Sequence, residues 1–241
     1  MDTLQKTIHN SEEPVVCRSC EARHGGLCSV LTPQQLCDLN RHSTRKKLEA
    51  GIELLGQGEL VTSYGNILKG VVKLSKMMSD GRQQIVGLQF APDFLGRPFM
   101  AESKMTAEAA TDLEICLFPR RVVDRMAAEV PGMERKLHDQ SLKELDEARD
   151  WMLTLGRKSA QEKVASFLHM IATHIDPEND DKSCFDLPLS RADIADFLGL
   201  TIETVSRQMT KLRKDGIIRI ENNRHITVPD LQALSEAAGN D

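Results

Sequence analysis

The segment from Leu189 to Ile220, LSRADIADFLGLTIETVSRQMTKLRKDGIIRI, constrains the fold more than any other, because its helix signals come in a fixed order. Ser190 is a good cap for a first helix, and Gly199 permits a turn after it. Thr201 can cap a second helix, which Gly216 ends. The strand-like run IIRIENNRHITV completes the pattern. Two short helices, a glycine turn and a hairpin in this order predict a winged helix-turn-helix.

The second predicted helix has an apolar side and a polar side, as a recognition helix needs. The apolar side consists of Ile202, Val205, Met209 and Leu212, and the polar side of Glu203, Ser206, Arg207, Thr210, Lys211 and Lys214. Arg207 can form two hydrogen bonds with guanine, and Glu203 can accept a hydrogen bond from cytosine N4. Ser206 can hydrogen-bond to different bases. The other three polar residues suit phosphate contacts. A solvated face in an unrelated helical domain is the alternative, but the order of caps, turn and wing favours DNA reading.

Composition excludes a protein that binds nucleic acid through its overall charge. The 241 residues carry a formal net charge of −5, and 40% of them are hydrophobic, enough for substantial cores. DNA contact must therefore come from a local patch, and residues 201–225 hold six basic side chains against three acidic ones. No nucleophile–base pair, paired carboxylates or Gly-rich phosphate loop is visible. We therefore do not expect an enzyme, such as a metalloenzyme with a DNA-binding tail.

The N-terminal run MDTLQKTIHNSEEPVV has no apolar core flanked by basic residues, and no apolar run reaches the length of a membrane span. The sequence therefore predicts a cytoplasmic protein without membrane contact. Thiols stay reduced in that compartment.

Three of the six cysteines, Cys17, Cys20 and Cys28, form a C-x2-C-x7-C cluster near the N-terminus. Reduced cysteines at this spacing favour metal or redox chemistry over a disulfide framework. An iron–sulfur cluster or a tetrahedral zinc ion needs four ligands, and a thiol–disulfide switch between Cys17 and Cys20 is a third possibility. The remaining cysteines are Cys37, Cys116 and Cys184. By residue pattern alone each of these three is expected to be structural or incidental, and His24 is a weaker alternative ligand.

The middle of the chain predicts an antiparallel β-roll, which makes the expected fold class α+β. Short apolar runs alternate with glycines between residues 31 and 128, and Asp80-Gly81 is a hairpin signal between two of these runs. The expected domains are an N-terminal arm with the cysteine cluster (1–30), a roll (31–128), a long helix (129–157) and the winged helix-turn-helix (158–241).

The long helix carries a narrow apolar stripe, formed by Leu145, Ala148, Met152 and Leu155. Spacings of three and four residues between charged flanks are typical of a coiled-coil seam. Because most oligomers are symmetric, the expected partner is a second copy of the chain. Packing of the stripe against the protein's own roll is the alternative.

The chain resembles the FNR branch (fumarate and nitrate reductase regulators) of the cyclic-AMP receptor protein family, and more narrowly its alphaproteobacterial FnrL/FnrN group. The resemblance covers nearly the whole chain. It lies in the segments CRSCEARHGGLC (17–28), DGRQQIVGLQFAPDFLGRP (80–98), EARDWMLTLGRKSAQEKVASFL (147–168) and LGLTIETVSRQMTKLRKDGII (198–218), and in Cys116.

The resemblance implies an N-terminal β-roll, a long dimerisation helix and a C-terminal winged helix-turn-helix. It also implies an oxygen-labile [4Fe–4S] cluster, held here by Cys17, Cys20, Cys28 and Cys116. The family's E-x-x-S-R triplet matches Glu203, Ser206 and Arg207, which implies a palindrome similar to TTGAT, a short spacer and ATCAA. Contact with RNA polymerase is expected at an exposed part of the Asp80–Gln84 hairpin.

The chain departs from the family pattern at three places. The seven-residue gap before Cys28 is longer than in the enterobacterial type, although it fits the alphaproteobacterial group. Ala148 stands where enterobacterial relatives carry an aspartate that opposes dimerisation, which puts complete monomerisation in oxygen in doubt. The Arg-Ser pair and the glutamate that bind cyclic nucleotides have no counterpart in GRPFMAESKMTAEAA, so cyclic-nucleotide sensing is not expected.

Overall fold

The computed structural model describes residues 13–175 and 183–240. It divides into two compact units: the first comprises residues up to 73 and residues 88–143, and the second comprises residues 74–87 and 144 onward. The first 12 residues of the predicted N-terminal arm, and residues 176–182, lie outside the described residues.

The described chain alternates short helices and strands around one long helix. The helices are α1 (Val15–Arg18), α2 (Glu21–His24), α3 (Pro33–Arg41), α4 (Arg120–Glu129), α5 (Pro131–Arg157), α6 (Ala160–Ile175), α7 (Arg191–Leu198), α8 (Ile202–Lys214) and α9 (Leu231–Ala237). The strands are β1 (Thr44–Leu48), β2 (Glu53–Leu55), β3 (Ser63–Lys69), β4 (Val71–Met77), β5 (Gln83–Phe90), β6 (Phe94–Leu95), β7 (Thr106–Ala109), β8 (Leu113–Pro119), β9 (Ser183–Asp186), β10 (Arg219–Glu221) and β11 (His225–Val228).

Two four-stranded sheets confirm the predicted roll, with strand orders β1-β8-β3-β6 and β2-β7-β4-β5. Strands β3 and β8 are buried at most of their positions, because apolar residues occupy both of their faces. The packed cluster beneath the first sheet includes Tyr64, Phe94 and Phe118, together with Val123 and Met126 of α4. This cluster also takes in residues of the N-terminal segment, so the cysteine-bearing loop is packed onto the roll.

The hairpin predicted at Asp80-Gly81 joins β4 to β5. Gly81 has φ of +86°, a conformation that glycine adopts without strain. The amide of Met78 donates to the carbonyl of Arg82 over 2.8 Å, and the Arg82 side chain pairs with Asp80. The turn chemistry and the two flanking apolar runs were therefore sufficient to locate this element.

Helix α5 begins with proline at its first turn, a position where the missing proline N–H costs nothing. Of its predicted seam, Leu145, Ala148 and Met152 are exposed, and Leu155 is half-buried. The exposed fraction of Met152 is 72%, a high value for a large apolar side chain.

The C-terminal part forms the predicted helix-turn-helix. Ser190 and Asp193 make the reciprocal bonds of a capping box at the start of α7, which ends at Gly199 with φ of +62°. Helix α6 buries one whole face, including Val164, Phe167, Leu168 and Ile171.

Two details of this domain differ from the expectation. Ile202, predicted to be in the core, is 48% exposed, because it lies in the first turn of α8, before the helix meets the rest of its domain. The wing is a three-stranded sheet rather than a hairpin, because β9 pairs with β11. Cys184 lies in that third strand, with its side chain exposed.

No helix among residues 13–175 and 183–240 is both long enough and apolar enough to cross a lipid bilayer.

Candidate cysteine centre and DNA-reading helix

Four separate structural elements carry the four cysteines singled out by sequence. Cys17 lies in the single turn of α1, and Cys20 precedes α2 as its cap residue. Cys28 lies in a 3₁₀ turn over residues 27–30, and Cys116 lies in the middle of β8. Short turns of this kind let the chain double back within a few residues, so the three N-terminal sulfurs can face the same side.

All four cysteines line one small cavity, about 20 Å³ in volume and partly open to solvent. Cys28 and Cys116 are buried, whereas Cys17 and Cys20 are half-buried at the open side. The wall is completed by apolar side chains and by a few polar ones, namely Arg23, Leu36, Leu39, Asn40, Ser43, Arg45, Asn66, Leu68 and Phe118. The structure thus brings the remote cysteine of β8 to the N-terminal cluster.

Cys116 has polar neighbours on both adjacent strands. In the sheet register it pairs with Arg45 of β1 on one side and with Asn66 of β3 on the other. Directly opposed residues on neighbouring strands share a face of the sheet, so all three side chains point toward the cavity. Ser43, just before β1, donates its hydroxyl to the carbonyl of Asn40 over 3.0 Å and also lines the cavity.

Asn66 connects the sheet with the N-terminal loop. Its Nδ2 donates to the Sγ of Cys28 over 3.2 Å, while its Oδ1 is buried and accepts no hydrogen bond from any described residue. A fully buried amide is costly unless its polar atoms are used. The hydrogen bond to the Cys28 sulfur therefore accounts for the buried position of Asn66.

Burial makes three of the cysteine thiols harder to ionise in the protein chain alone. Burial, followed by the charges of Cys116, Cys20 and Cys17, raises the pKa of Cys28 to about 12. Burial also raises the pKa of Cys17 and of Cys116. For Cys116, the hydroxyl of Ser43 and the charge of Arg45 oppose this rise. A positively charged group bound among these thiols would favour their ionised form.

Two arginines hold the cysteine loop in place. Arg23 donates to Glu13 over 2.6 Å and to the carbonyl of Ser29 over 3.3 Å, so it ties the two ends of the loop together. Arg45 donates to the carbonyl of Val16, next to the first cysteine.

The weaker candidates lie elsewhere. His24 is exposed, bonds the carbonyl of Arg18 and does not line the cavity. Cys37 is half-buried on α3 and also stays outside it.

The polar face of α8 is displayed as predicted. Val205, Met209 and Leu212 are at most 2% exposed and anchor the helix. On the other side, a shallow groove is lined by Ser206, Arg207, Thr210, Lys211, Lys214 and Asp215. Three of these residues, Arg207, Lys211 and Lys214, carry positive charge around the open groove. Glu203 lies one turn earlier, outside the groove and exposed.

The N-terminal end of α8 is well defined. The Thr201 side chain accepts from the amide of Thr204 over 3.2 Å. The pKa of Glu203 is lowered by a hydrogen bond from its own backbone amide and by one from Thr201, so this carboxylate is ionised at neutral pH. Thr210 donates its hydroxyl to the carbonyl of Ser206, within the same helix.

The wing is fastened to the helices by Arg191, which sequence reasoning did not single out. Its guanidinium contacts the Met209 sulfur of α8 and donates to the carbonyl of Asn223 in the wing turn over 3.2 Å. Arg224 donates to the carbonyl of Leu187, and His225 pairs with Asp186, so both bond within the wing sheet.

The comparisons with known proteins agree with both halves of this architecture. The cyclic nucleotide-binding domain family matches residues 45–129, and the Crp-like helix-turn-helix domain family matches residues 162–237. A probable transcriptional activator of Rhizobium leguminosarum bv. viciae is 63% identical over 97% of this chain and 98% of its own. The transcriptional activator protein FnrL of Cereibacter sphaeroides is 38% identical over 98% and 97%. The chain belongs to the CRP/FNR family of transcriptional regulators.

A solved structure supports the same assignment. FixK2 of Bradyrhizobium japonicum superimposes with a TM-score of 0.73 at 33% identity, covering 81% of this regulator and 96% of that chain. The regulator is therefore a transcriptional activator of the CRP/FNR type, with a helix-turn-helix that binds DNA. Its curated relatives are regulators rather than enzymes.

Sequence reasoning about the cysteine centre missed Asn66, Ser43 and Arg45. One signal was available for Asn66, since it stands between Gly65 and Ile67 in a strand-like run, where a polar side chain must find a partner. No comparable signal existed for Ser43 and Arg45, because their role depends on the pairing of β1 with β8.

Proposed function

We propose that this regulator controls anaerobic or microaerobic gene expression, and that Cys17, Cys20, Cys28 and Cys116 hold an oxygen-labile [4Fe–4S] cluster. The observation that carries the proposal is the meeting of these four cysteines in one cavity, although about ninety residues separate the last from the others. When bound, the cluster supplies an oxygen-sensitive redox centre.

The chemistry of the cavity fits such a group. The four thiols can supply the thiolates, and Asn66 donates a hydrogen bond to the sulfur of Cys28. Ser43 and Arg45 both act to lower the pKa of Cys116. Hydrogen bonds to the ligand sulfurs are a common second layer of support in metal centres. Burial of two of the sulfurs limits solvent access, while the open side at the N-terminal pair leaves a path for a small oxidant.

A single tetrahedral zinc ion is the alternative occupant of a site with four cysteine ligands. Within residues 13–175 and 183–240, the protein chain alone does not gather three His, Cys, Asp or Glu side chains closely enough to hold a metal ion, and this bears equally on zinc and on a cluster. A zinc-controlled or thiol-controlled regulator of the same fold is the second candidate.

The cysteine-bearing loop would control DNA binding through its attachment to the roll. With the loop packed in place, two copies of α5 pair along Leu145, Ala148, Met152 and Leu155 and form a homodimer. The dimer then presents two α8 helices to the half-sites of a TTGAT/ATCAA palindrome, about one DNA turn apart. Loss of the loop's attachment lowers the affinity for DNA. RNA polymerase is the partner expected for activation.

The test is the iron and sulfide content of protein purified without air, combined with DNA binding before and after exposure to air. We expect about four iron and four sulfide per chain, and binding to a TTGAT/ATCAA duplex that air abolishes. Replacement of Cys20 by serine should abolish both the iron and sulfide content and the DNA binding of protein purified without air, because a cubane needs four ligands.

The matched control is the same replacement at Cys184, which is exposed in the wing sheet and should leave metal content and air response unchanged. Zinc in place of iron, or DNA binding indifferent to air, would contradict the oxygen-sensing proposal. Those results would favour the second candidate.

A further inference from the structure

The end of α7 is stabilised by a side chain from outside the helix-turn-helix. The last four carbonyls of a helix have no partner within it. In α7, the amide of Leu200 donates to the carbonyl of Ala195 over 3.0 Å. The next two carbonyls both accept from Gln84: its Nε2 lies 2.5 Å from the oxygen of Asp196 and 3.1 Å from that of Phe197. Gln84 lies in β5, within the same compact unit as α7.

Phe197 is held by its ring as well as by its carbonyl. Its ring centroid lies 4.5 Å from that of Trp151 of α5 in an edge-on arrangement, and 5.9 Å from that of Phe167 of α6. The residue is only 3% exposed. Edge-on aromatic pairs add stability beyond their buried area. The C-terminal end of α7 is therefore fixed at one residue by contacts from β5, α5 and α6.

The fixed point lies directly before the DNA-reading helix. Only Gly199, Leu200 and Thr201 separate the end of α7 from the start of α8. Because the turn is so short, a displacement of Phe197 moves the first turn of α8. That turn leads into the residues expected to reach base edges, including Arg207.

We propose that Gln84 is a positioning residue for DNA reading, which holds the end of α7 and thereby sets the orientation of α8 without touching DNA. The proposal rests on the proposed role of α8 as the DNA reader. It also removes Gln84 from the part of the Asp80–Gln84 hairpin that is available to RNA polymerase, since its amide is used within the protein.

The chain offers a closely matched pair of variants. Gln84→Glu keeps the shape of the side chain but replaces the N–H donors by a negative charge, next to carbonyls at the negative end of a helix. Gln83→Glu makes the same change one residue earlier, where the side chain is exposed. Gln84→Lys keeps a donor and adds a positive charge, which this helix end should tolerate.

The experiment measures the affinity of anaerobically purified, full-length protein for a TTGAT/ATCAA duplex. We expect Gln84→Glu to bind about tenfold more weakly, and Gln83→Glu and Gln84→Lys to bind like the unmodified protein. Hydrogen–deuterium exchange of the free protein should show faster exchange over residues 194–201 in Gln84→Glu alone.

Equal behaviour of Gln84→Glu and Gln83→Glu in affinity and in exchange would overturn the proposal. If the unmodified protein does not bind this duplex, the proposed DNA site is wrong, and the exchange of residues 194–201 still decides the role of Gln84. The Gln84→Lys variant keeps a donor. If it lost as much affinity for DNA as Gln84→Glu, that result would also contradict the proposal.

Discussion

At the residue scale, two buried polar side chains of β3 connect the roll to its neighbouring elements. Asn66 donates a hydrogen bond from its amide nitrogen to the sulfur of Cys28. Tyr64, two residues earlier in β3, donates its hydroxyl to Asp124 over 3.1 Å. Asp124 also pairs with Arg120 within α4. Buried polar groups usually find a hydrogen-bond partner, and the bonds of Asn66 and Tyr64 each join β3 to one specific neighbour.

Tyr64 predicts a loss of stability at high pH. Burial, and then the charge of Asp124, raises the pKa of Tyr64 to about 12, above its ordinary value of 10.0. A group with a raised folded pKa contributes stability that is complete below pH 10.0 and is lost as the pH approaches 12. We expect the free energy of unfolding to fall over this interval, and to fall less in Tyr64→Phe.

The measurement is simple because Tyr64 is the only tyrosine in the chain. Tyrosinate absorbance should titrate near pH 12 in the folded protein and near pH 10 in urea. A folded-state titration at the ordinary value would contradict the buried pairing with Asp124.

At the scale of elements, helix ends are defined more sharply than helix middles. The capping box at Ser190, the cap at Thr201 and the left-handed Gly199 lie where the sequence places them, because each end needs a specific bond or backbone conformation. The exposure of Ile202 was not predictable in the same way, since an apolar residue in a first turn has no periodic neighbour before it.

Two glycines should respond to alanine with opposite signs. Gly199 has φ of +62° and open space around the added methyl, so Gly199→Ala should destabilise the protein by about 1 kcal/mol through backbone strain alone. Gly156 lies in the last turns of α5, also in open space, so Gly156→Ala should stabilise it by about 0.5 kcal/mol. Chemical denaturation of both variants checks the signs. Destabilisation by both would exclude backbone conformation as the cause.

The residues of the α8 groove are expected to divide into those that read DNA bases and those that contact phosphates. Arg207→Ala should cost about 1–3 kcal/mol and should reduce discrimination against a duplex whose TTGAT guanine is replaced. Lys214→Ala should weaken binding to both duplexes equally and should reduce the salt dependence by about one released ion. Fluorescence anisotropy at several salt concentrations separates these effects. A uniform loss in Arg207→Ala would exclude its role in reading bases.

At the scale of the whole molecule, the exposed stripe of α5 shows that a single chain leaves apolar surface uncovered. Leu145 and Met152 remain exposed by 45% and 72%. Soluble proteins normally cover contiguous apolar surface of this kind, and a second copy of the same helix would do so symmetrically. Homodimerisation along this stripe remains a prediction of the sequence.

A charge placed in the stripe should prevent that pairing. Met152→Lys should shift the protein from dimer toward monomer and lower its affinity for a palindromic duplex, because a buried lysine without a partner is costly. Asp150→Lys introduces the same side chain on another side of α5 and should leave the dimer intact. Analytical ultracentrifugation of both variants decides the point. A dimer unaffected by Met152→Lys would place the interface elsewhere.

The sequence by itself determined the elements whose signals are local. Caps, glycine turns, the Asp80-Gly81 hairpin and the apolar periodicity of α6 depend on neighbours within a few residues, so they could be predicted without coordinates. The helix-turn-helix and the α+β class followed from them.

Only the tertiary structure decided contacts between distant residues. The approach of Cys116 to Cys28, the flanking of Cys116 by Arg45 and Asn66, the third strand of the wing and the bonds from Gln84 to α7 all depend on strand register or on packing. A register shift of one residue would turn each strand side chain to the opposite face. Composition and spacing carry no information about that register, which is why the residues supporting the cysteine centre could not be found from sequence.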